Sequence, residues 1–295
     1  MENLSFTIRV LRTVIDIGER VLEKSPGADW IKYKGYRFES SRVPEAFDGF
    51  RFVVLADVHA HLFGKQSIQL IQAVKSCHPE VILSAGDWIR TDYSGRDVKI
   101  LWDMVEGIVK IAPLYTILGN HEGRADHKNE LIREFTALGV RILQDENILL
   151  GREETEEKIV LTGLYPSYEN SFYGSLRESG IGPKIREEYE NVMRDVPDKK
   201  TFQIVLSHRP ELFELYADLK MDLVFSGHAH GGLMKLPGGK RLLAPDQGLL
   251  PDYTHGAYQK GQTTMIVSEG LGGPRIGIRP QIIVGELKRK ESQNL

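Results

Sequence analysis

Seven short apolar runs, at residues 52–56, 81–83, 114–118, 158–162, 202–206, 223–225 and 263–267, dominate the pattern of the chain. They are continuous rather than alternating. A strand buried on both faces loses its apolar/polar alternation, so these runs predict the inner strands of a layered sheet. Between several of them, residues 67–77, 98–111, 129–138 and 211–219 place apolar side chains at helical spacing. Strands alternating with helices predict an α/β layered fold. Functional residues of such folds collect in the loops that follow strand C-termini. Five of the seven runs are followed within a few residues by Asp, His or Asn.

Upstream of this rhythm, residues 4–24 put Leu4, Ile8, Leu11, Ile15 and Leu22 on one face and Arg9, Arg12, Asp16, Arg20 and Glu23 on the other. That spacing predicts an amphipathic helix, ended by Ser25-Pro26-Gly27. Its polar face mixes acids with bases, which favours docking on the protein's own core or on a second subunit over a membrane-surface helix. Residues 30–42 alternate in part, through Ile31, Tyr33, Tyr36 and Phe38, and predict a leading strand. The chain thus divides into an N-terminal portion, 1–48, packed on the core or peripheral to it, and a main domain, 49–290. Two segments break the rhythm: the polar stretch 165–200, with a helix expected over 184–193, and the Gly/Pro-rich stretch 231–261. Both leave the edge where the Asp and His residues gather, and loops of that length in a compact domain are usually functional or disordered. The acidic run 153–157 predicts a solvated hairpin turn.

Composition narrows the classes. With 295 residues, 41% hydrophobic and 27% charged, this is a soluble globular chain of one large domain or two ordinary ones. A net charge of -3 gives no reason to expect a long nucleic acid as partner. The single cysteine, Cys77, excludes an internal disulfide and a multi-cysteine zinc site, and its position before His78-Pro79 predicts burial. No run approaches the ~20 apolar residues of a membrane span, and no signal-peptide pattern opens the chain. The expected compartment is the cytoplasm, with peripheral membrane contact through residues 4–24 as the alternative.

Collected from the strand ends, Asp57, His59, Asp87, Asn120, His208, His228 and His230 make a ligand set. Oxygen donors with neutral imidazoles suit Mn, Fe or Zn rather than Ca. Seven ligands exceed the needs of one ion and suit two, if one carboxylate bridges. The last pair lies in Ser226-Gly227-His228-Ala229-His230-Gly231-Gly232, whose glycines let the backbone turn sharply beside a bound ion.

In order along the chain, Asp57-x-His59, Gly86-Asp87, Gly119-Asn120-His121-Glu122, His208 and Gly227-His228-x-His230 resemble the calcineurin-like metallophosphoesterases. The stretch from His228 through Leu271-Gly-Gly-Pro-Arg-Ile-Gly-Ile-Arg-Pro280 is most similar to a bacterial phosphodiesterase branch that includes membrane-associated and lipid-precursor hydrolases. The resemblance implies a two-sheet β sandwich flanked by helices. It implies two divalent ions, one on Asp57, His59, Asp87 and His230, the other on Asp87, Asn120, His208 and His228, with Asp87 bridging. It further implies hydrolysis of a P–O bond by in-line attack of a hydroxide held between the ions. His121 is the implied catalytic residue, stabilising the transition state or protonating the leaving oxygen, and Asn120 and His121 then face the substrate.

The chain departs from that pattern at Arg90, where relatives often carry an acid that orients the catalytic histidine. Either Asp92 substitutes, or Arg90 contacts the substrate phosphate. Arg209 binds phosphate or forms a surface salt bridge, and His61 has an outer or surface role rather than a ligating one. The substrate implied is a phosphodiester or pyrophosphate-like molecule, lipid-linked or nucleotide-type. Trp88, Tyr93, Phe172, Tyr173, Leu249, Leu250 and Tyr253 suit its apolar or nucleoside part, or form the loops' own small core. The alternatives are a phosphomonoesterase or small-nucleotide nuclease of the same fold and, in another class, a non-catalytic scaffold. Scaffolds of this fold lack ligands or the catalytic histidine, and this chain retains both.

Overall fold

The computed structural model describes residues 30–90, 95–152, 155–165, 183–197 and 199–291. The helix expected over 4–24, with the subunit or membrane contact attached to it, lies outside the described residues, as do Asp92, Tyr93, Phe172 and Tyr173. The first half of the chain forms β1 (Lys32–Ser40), β2 (Arg51–Leu55), α1 (Ile68–Ser76), β3 (Val81–Ser84), α2 (Gly95–Val109), β4 (Leu114–Thr116), α3 (Asn120–Arg124), α4 (Lys128–Ala137) and β5 (Arg141–Ile142). There follow β6 (Glu146–Gly151), β7 (Lys158–Leu164), α5 (Pro183–Arg194), β8 (Gln203–Ser207), α6 (Phe213–Asp218) and β9 (Leu223–Ser226). The chain closes with β10 (Leu243–Ala244), β11 (Gly248–Leu249), β12 (Gly256–Lys260), β13 (Thr263–Val267) and β14 (Gln281–Arg289).

All seven apolar runs become strands, and their lack of alternation has the expected cause. In β2, Phe52 and Val54 point into one core while Val53 and Leu55 point into another. Two mixed six-stranded sheets result, ordered β1-β14-β2-β3-β4-β5 and β12-β13-β9-β8-β7-β6. Their facing sides share the core that contains Phe52, Leu83 and Ile117 from the first sheet and Leu161, Leu206, Phe225 and Ile266 from the second. Phe52 and Phe225 meet edge to face across it, with centroids 5.6 Å apart. Burying an aromatic or branched side chain there contributes ~1.5–3 kcal/mol. The outer face of the first sheet carries α1, α2 and α4 through Leu70, Val74, Met104, Ile108 and Phe135. The outer face of the second carries α5 and α6 through Tyr189, Val192, Leu215 and Tyr216. The fold is α/β, two sheets flanked by helices.

The leading strand β1 is an edge strand of the first sheet, parallel to β14 from Lys32↔Gln281 to Ser40↔Arg289. In turn β14 runs antiparallel to β2. The acidic run 153–157 lies between β6 and β7, an antiparallel pair whose last register is Gly151↔Lys158. The stretch 231–261, expected as an irregular loop, contains the β10/β11 ribbon and β12, which extends the second sheet beside β13. Cys77 is buried. Among the described residues no helix is long and apolar enough to cross a membrane.

Candidate metal centre

The parallel strands β2, β3 and β4 of one sheet and β8 and β9 of the other all end at the same rim. Asp57 and His59 follow β2, Asp87 follows β3, Asn120 opens α3 after β4, His208 follows β8, and His228 and His230 follow β9. Five of these seven residues leave their strands in the left-handed region: Asp57 (φ 52°), His59 (51°), Asp87 (58°), His228 (67°) and His230 (48°). That conformation costs an L-residue roughly 1–2 kcal/mol, and such strain is retained where the surroundings over-determine it. Here it hooks each side chain back over the end of the sandwich. Adjacent loops are stitched together by Asp57 N–H to Gly86 O (3.0 Å), His59 N–H to Asp87 O (3.0 Å) and Ala60 N–H to Trp88 O (2.7 Å). Gly119 leaves the space that Asp87 fills, since a Cβ there would overlap the Asp87 carboxylate.

Each carboxylate is aimed by a backbone N–H from another loop. Asp57 Oδ1 accepts from His228 N (2.9 Å) and Asp87 Oδ1 from His121 N (3.0 Å). The second oxygens, Asp57 Oδ2 and Asp87 Oδ2, are buried and accept no hydrogen bond. Asp87 Oδ2 instead stands 3.1, 3.9 and 4.0 Å from Nε2 of His208, His59 and His121. The imidazoles are oriented from behind: His59 Nδ1 meets Ile89 O at 2.9 Å and His208 Nδ1 meets Ala85 O at 2.7 Å, so each donates there and leaves its Nε2 lone pair facing inward. His59 Nε2 then lies 3.3 Å from His230 Nε2, and His208 Nε2 lies 3.1 Å from Asn120 Oδ1. Acceptors converging on acceptors are reconciled only by a cation or a proton.

Ligand atoms of Asp57, His59 and His230 lie within 4.8 Å of one another, and so do those of Asp87, His208 and His228. A third such group joins Asp87 and His59 to His121, and a fourth joins His228 to Glu211 and Asp246. The donor set, oxygen and imidazole nitrogen, together with buried oxygens that lack partners, fits two divalent ions sharing Asp87.

The electrostatics of the metal-free site agree. Burial works against an ionised Asp87, but His208, His121 and His59 outweigh it and hold the carboxyl well below its usual range. Burial pushes Asp57 up to about 6 and His59 down to about 3, and lowers His230 far below an ordinary imidazole. Burial also opposes a charged His208, yet the Asp87 charge, 3.1 Å from its Nε2, carries it up to about 9. In the absence of ions, His208 takes the proton that stands in for one of them.

Two acids escaped the sequence reading. Glu122, fully buried, accepts from Asp87 N (3.0 Å), Ile89 N (2.9 Å) and Gly119 N (2.7 Å), and so fastens the β3 loop to α3. Burial and the nearby Asp87 raise it to about 7. The signal was its place in Gly119-Asn120-His121-Glu122, but two of its three partners, Asp87 and Ile89, are remote in sequence. Asp246, just after β10, meets His228 Nε2 at 3.0 Å. Burial opposes its charge, but the bond to His228 and the charges of His228 and Arg209 hold it at about 2. Only its location in an overlong loop pointed to it.

The residues expected at the substrate divide. Asn120 and His121 line a small cavity, about 30 Å³, together with Asp87, His228 and His230 and with Arg124, Pro245 and Asp246. Arg90 is exposed at the end of the β3 loop. Arg209, expected on phosphate or in a surface salt bridge, is instead 1% exposed and pairs with Glu211 (2.6 Å) and Asp246 (2.8 Å) inside the protein. His61 lies edge-on to Phe63, mostly buried, and belongs to none of the ligand groups among the described residues. Trp88 is a core residue that donates to Thr116 Oγ1 and packs on Phe135. Tyr253 packs against Phe213 and Tyr258, whereas Leu250 is 59% exposed.

Known proteins provide an independent comparison. The family model for calcineurin-like phosphoesterases matches residues 50–232. The chain is 27% identical over 263 residues to the metallophosphoesterase YkuE of Bacillus subtilis (strain 168), covering 86% of this chain and 84% of that protein. It is 26% identical over 245 residues to the phosphodiesterase YaeI of Escherichia coli (strain K12), covering 81% and 82%. A metallophosphoesterase of Aquifex aeolicus (strain VF5) is 23% identical over 270 residues, covering 88% and 93%.

Proposed function

The chain belongs to the calcineurin-like phosphoesterase family, and from that premise we propose that it is a dinuclear, metal-dependent phosphodiesterase acting on a small or lipid-linked phosphate diester. The observation that carries this reading is Asp87 Oδ2, buried without a hydrogen bond and ringed by the Nε2 atoms of His208, His59 and His121. Asp57, His59 and His230 would hold one ion, Asn120, His208 and His228 the other, and Asp87, whose ligand oxygen groups with both sets of imidazoles, would serve both. Mn, Fe and Zn all suit this donor set. When bound, the two ions supply Lewis-acid charge for the phosphoryl oxygens and make a water acidic enough to serve as nucleophile near neutral pH.

His121 opens onto the cavity with 31% of its side chain exposed and its ring edge-on to His59, centroids 4.7 Å apart. Burial lowers its basicity by more than the Asp87 charge raises it, and nearby cations press the same way as burial. A neutral imidazole still donates one N–H, which supports a role in stabilising the transition-state phosphoryl oxygens rather than in protonating the leaving group. Losing such a donor costs roughly 10²–10³-fold in turnover. Similarity favours a diester. The similar Escherichia coli protein is named a phosphodiesterase, and the stretch from Gly227 to Pro280 is similar to a bacterial phosphodiesterase branch. Retention of the whole ligand set together with His121 supports catalysis over a scaffold.

Metal-stripped protein assayed on bis- and mono-p-nitrophenyl phosphate, then with Mn²⁺, Zn²⁺ or Fe²⁺ restored, tests the proposal. Diester cleavage should return with metal, vanish in Asp87→Asn and fall roughly 10²–10³-fold in His121→Ala with both ions retained. Cleavage of the monoester alone would overturn the substrate class, and failure to bind metal at all would overturn the mechanism.

A further inference from the structure

The histidines of the two half-sites are not supported alike. His59 and His208 each rest a ring nitrogen on a backbone carbonyl, but His228 rests Nε2 on the carboxylate of Asp246. Asp246 is 8% exposed, and the same oxygen, Oδ2, also accepts from Arg209 Nη2 at 2.8 Å. Arg209 in turn spends Nε on Glu211 at 2.6 Å. Its backbone is locked as well, because Tyr216 donates its hydroxyl to Arg209 O at 2.5 Å and lies 2.7 Å from Ser207 Oγ. Arg209 directly follows His208 in the chain. The β8 loop and the β9 loop are therefore joined by a buried path of side chains, His208–Arg209 to Asp246 to His228.

We propose that Asp246 is the positioning residue of the second metal half-site, holding His228 by Nε2 so that Nδ1 is the nitrogen presented toward Asp87 and His208. The inference rests on the dinuclear reading above. A carboxylate behind a ligating imidazole fixes its tautomer and ring orientation and raises its basicity, and removing such a partner typically lowers metal affinity 10–100-fold. Arg209 keeps the carboxylate charged and in place, because a buried anion without its cation is strongly disfavoured. The path gives the segment 231–261 a task, since it carries Asp246 across the rim to the back of His228. It also gives Arg209 one, that of a strut between the two imidazoles of one ion.

Titration of the full chain with Mn²⁺, followed by calorimetry, tests the proposal. Asp246→Ala should bind the first ion as the native protein does and the second 10–100-fold more weakly. Asp246→Asn, whose Oδ1 still accepts from Nε2–H, should keep most of the second affinity. Melting in chelator reports whether each variant folds without metal. Native affinity for both ions in Asp246→Ala overturns the proposal. A second measurement needs no variant: ¹⁵N spectra of the histidine rings in the native Zn²⁺-loaded protein should show His228 protonated at Nε2 and metal-bound at Nδ1, and the reverse assignment overturns it. Native protein that binds two ions but cleaves no phosphate ester would sink the proposed function and leave the role of Asp246 standing.

Discussion

The two half-sites use similar ligands but are held by different means. Around Asp57, His59 and His230 the support is backbone. Ile89 O orients His59, Leu271 N–H and Gly272 N–H bind Ala56 O and Asp57 O, and Gly273 lies flat against the His230 ring, where a Cβ would overlap it. Arg275 clamps that loop from within, donating to Glu269 O (3.0 Å) and Gly270 O (2.9 Å), and to Gly272 O. In the second half-site His208, like His59, rests on a backbone carbonyl, that of Ala85, but His228 rests on a charged network, Asp246, Arg209 and Glu211. Backbone and glycine make a rigid cradle that tolerates no added atom. Side-chain charge makes a support that depends on each partner being ionised. The His230 side is therefore vulnerable to volume, the His228 side to charge.

Asp87→Asn should erase the distinction, because that oxygen serves both sides. Elemental analysis should find neither ion held at stoichiometry, and diester hydrolysis should fall to background. An Asp87→Asn protein that keeps one tight ion would show that the half-sites are independent. Next in size, Gly273→Ala strikes only the first half-site. Its φ of +77° costs an alanine roughly 1–2 kcal/mol, and the new Cβ must displace the His230 ring. Thermal unfolding should report that loss, and metal titration should show the first ion weakened with the second intact. Equal weakening of both would refute the asymmetry. Glu122→Gln acts on the frame common to both: an amide in place of the carboxylate leaves at least one of the N–H groups of Asp87, Ile89 and Gly119 facing another donor, a loss of about 1–3 kcal/mol that melting curves can measure.

The asymmetry explains what the sequence made legible. The seven ligand-type residues were readable because each follows an apolar run closely, and the runs were continuous because Val53 and Val54, or Val205 and Leu206, serve opposite faces of their strands. The backbone-held half-site also left a trace, in the glycines of Leu271-Gly-Gly-Pro-Arg275. The charged support left none. Asp246 lies 18 residues from His228, in a stretch without periodicity, and nothing local marks it as the partner of an imidazole. Arg209 was visible, but its buried pairing depends on where the segment 231–261 folds back. Likewise the insertion of β14 between β1 and β2 is a long-range pairing that local pattern does not encode.

The mildest test of the comparison is pH. His208 without metal titrates at about 9, above its ordinary 6.5, because Asp87 favours its charged form. A group whose folded value is raised stabilises the fold fully below the unfolded value and loses that contribution as pH rises through the folded one. The melting temperature of the metal-free protein should therefore decline between pH 6.5 and 9 on this account. Loading the second half-site at about pH 7.5 should release the His208 proton, since a ligating imidazole must be neutral. The first half-site should release none from His59, which burial already keeps neutral with a value of about 3. Calorimetry of sequential Mn²⁺ binding in buffers of different ionisation heat separates these protons. One proton with the second ion and none with the first would place the metal-displaced proton on His208, the imidazole that Asp87 keeps charged. Proton release confined to the first ion would show that His208 is not the charged imidazole of the metal-free protein.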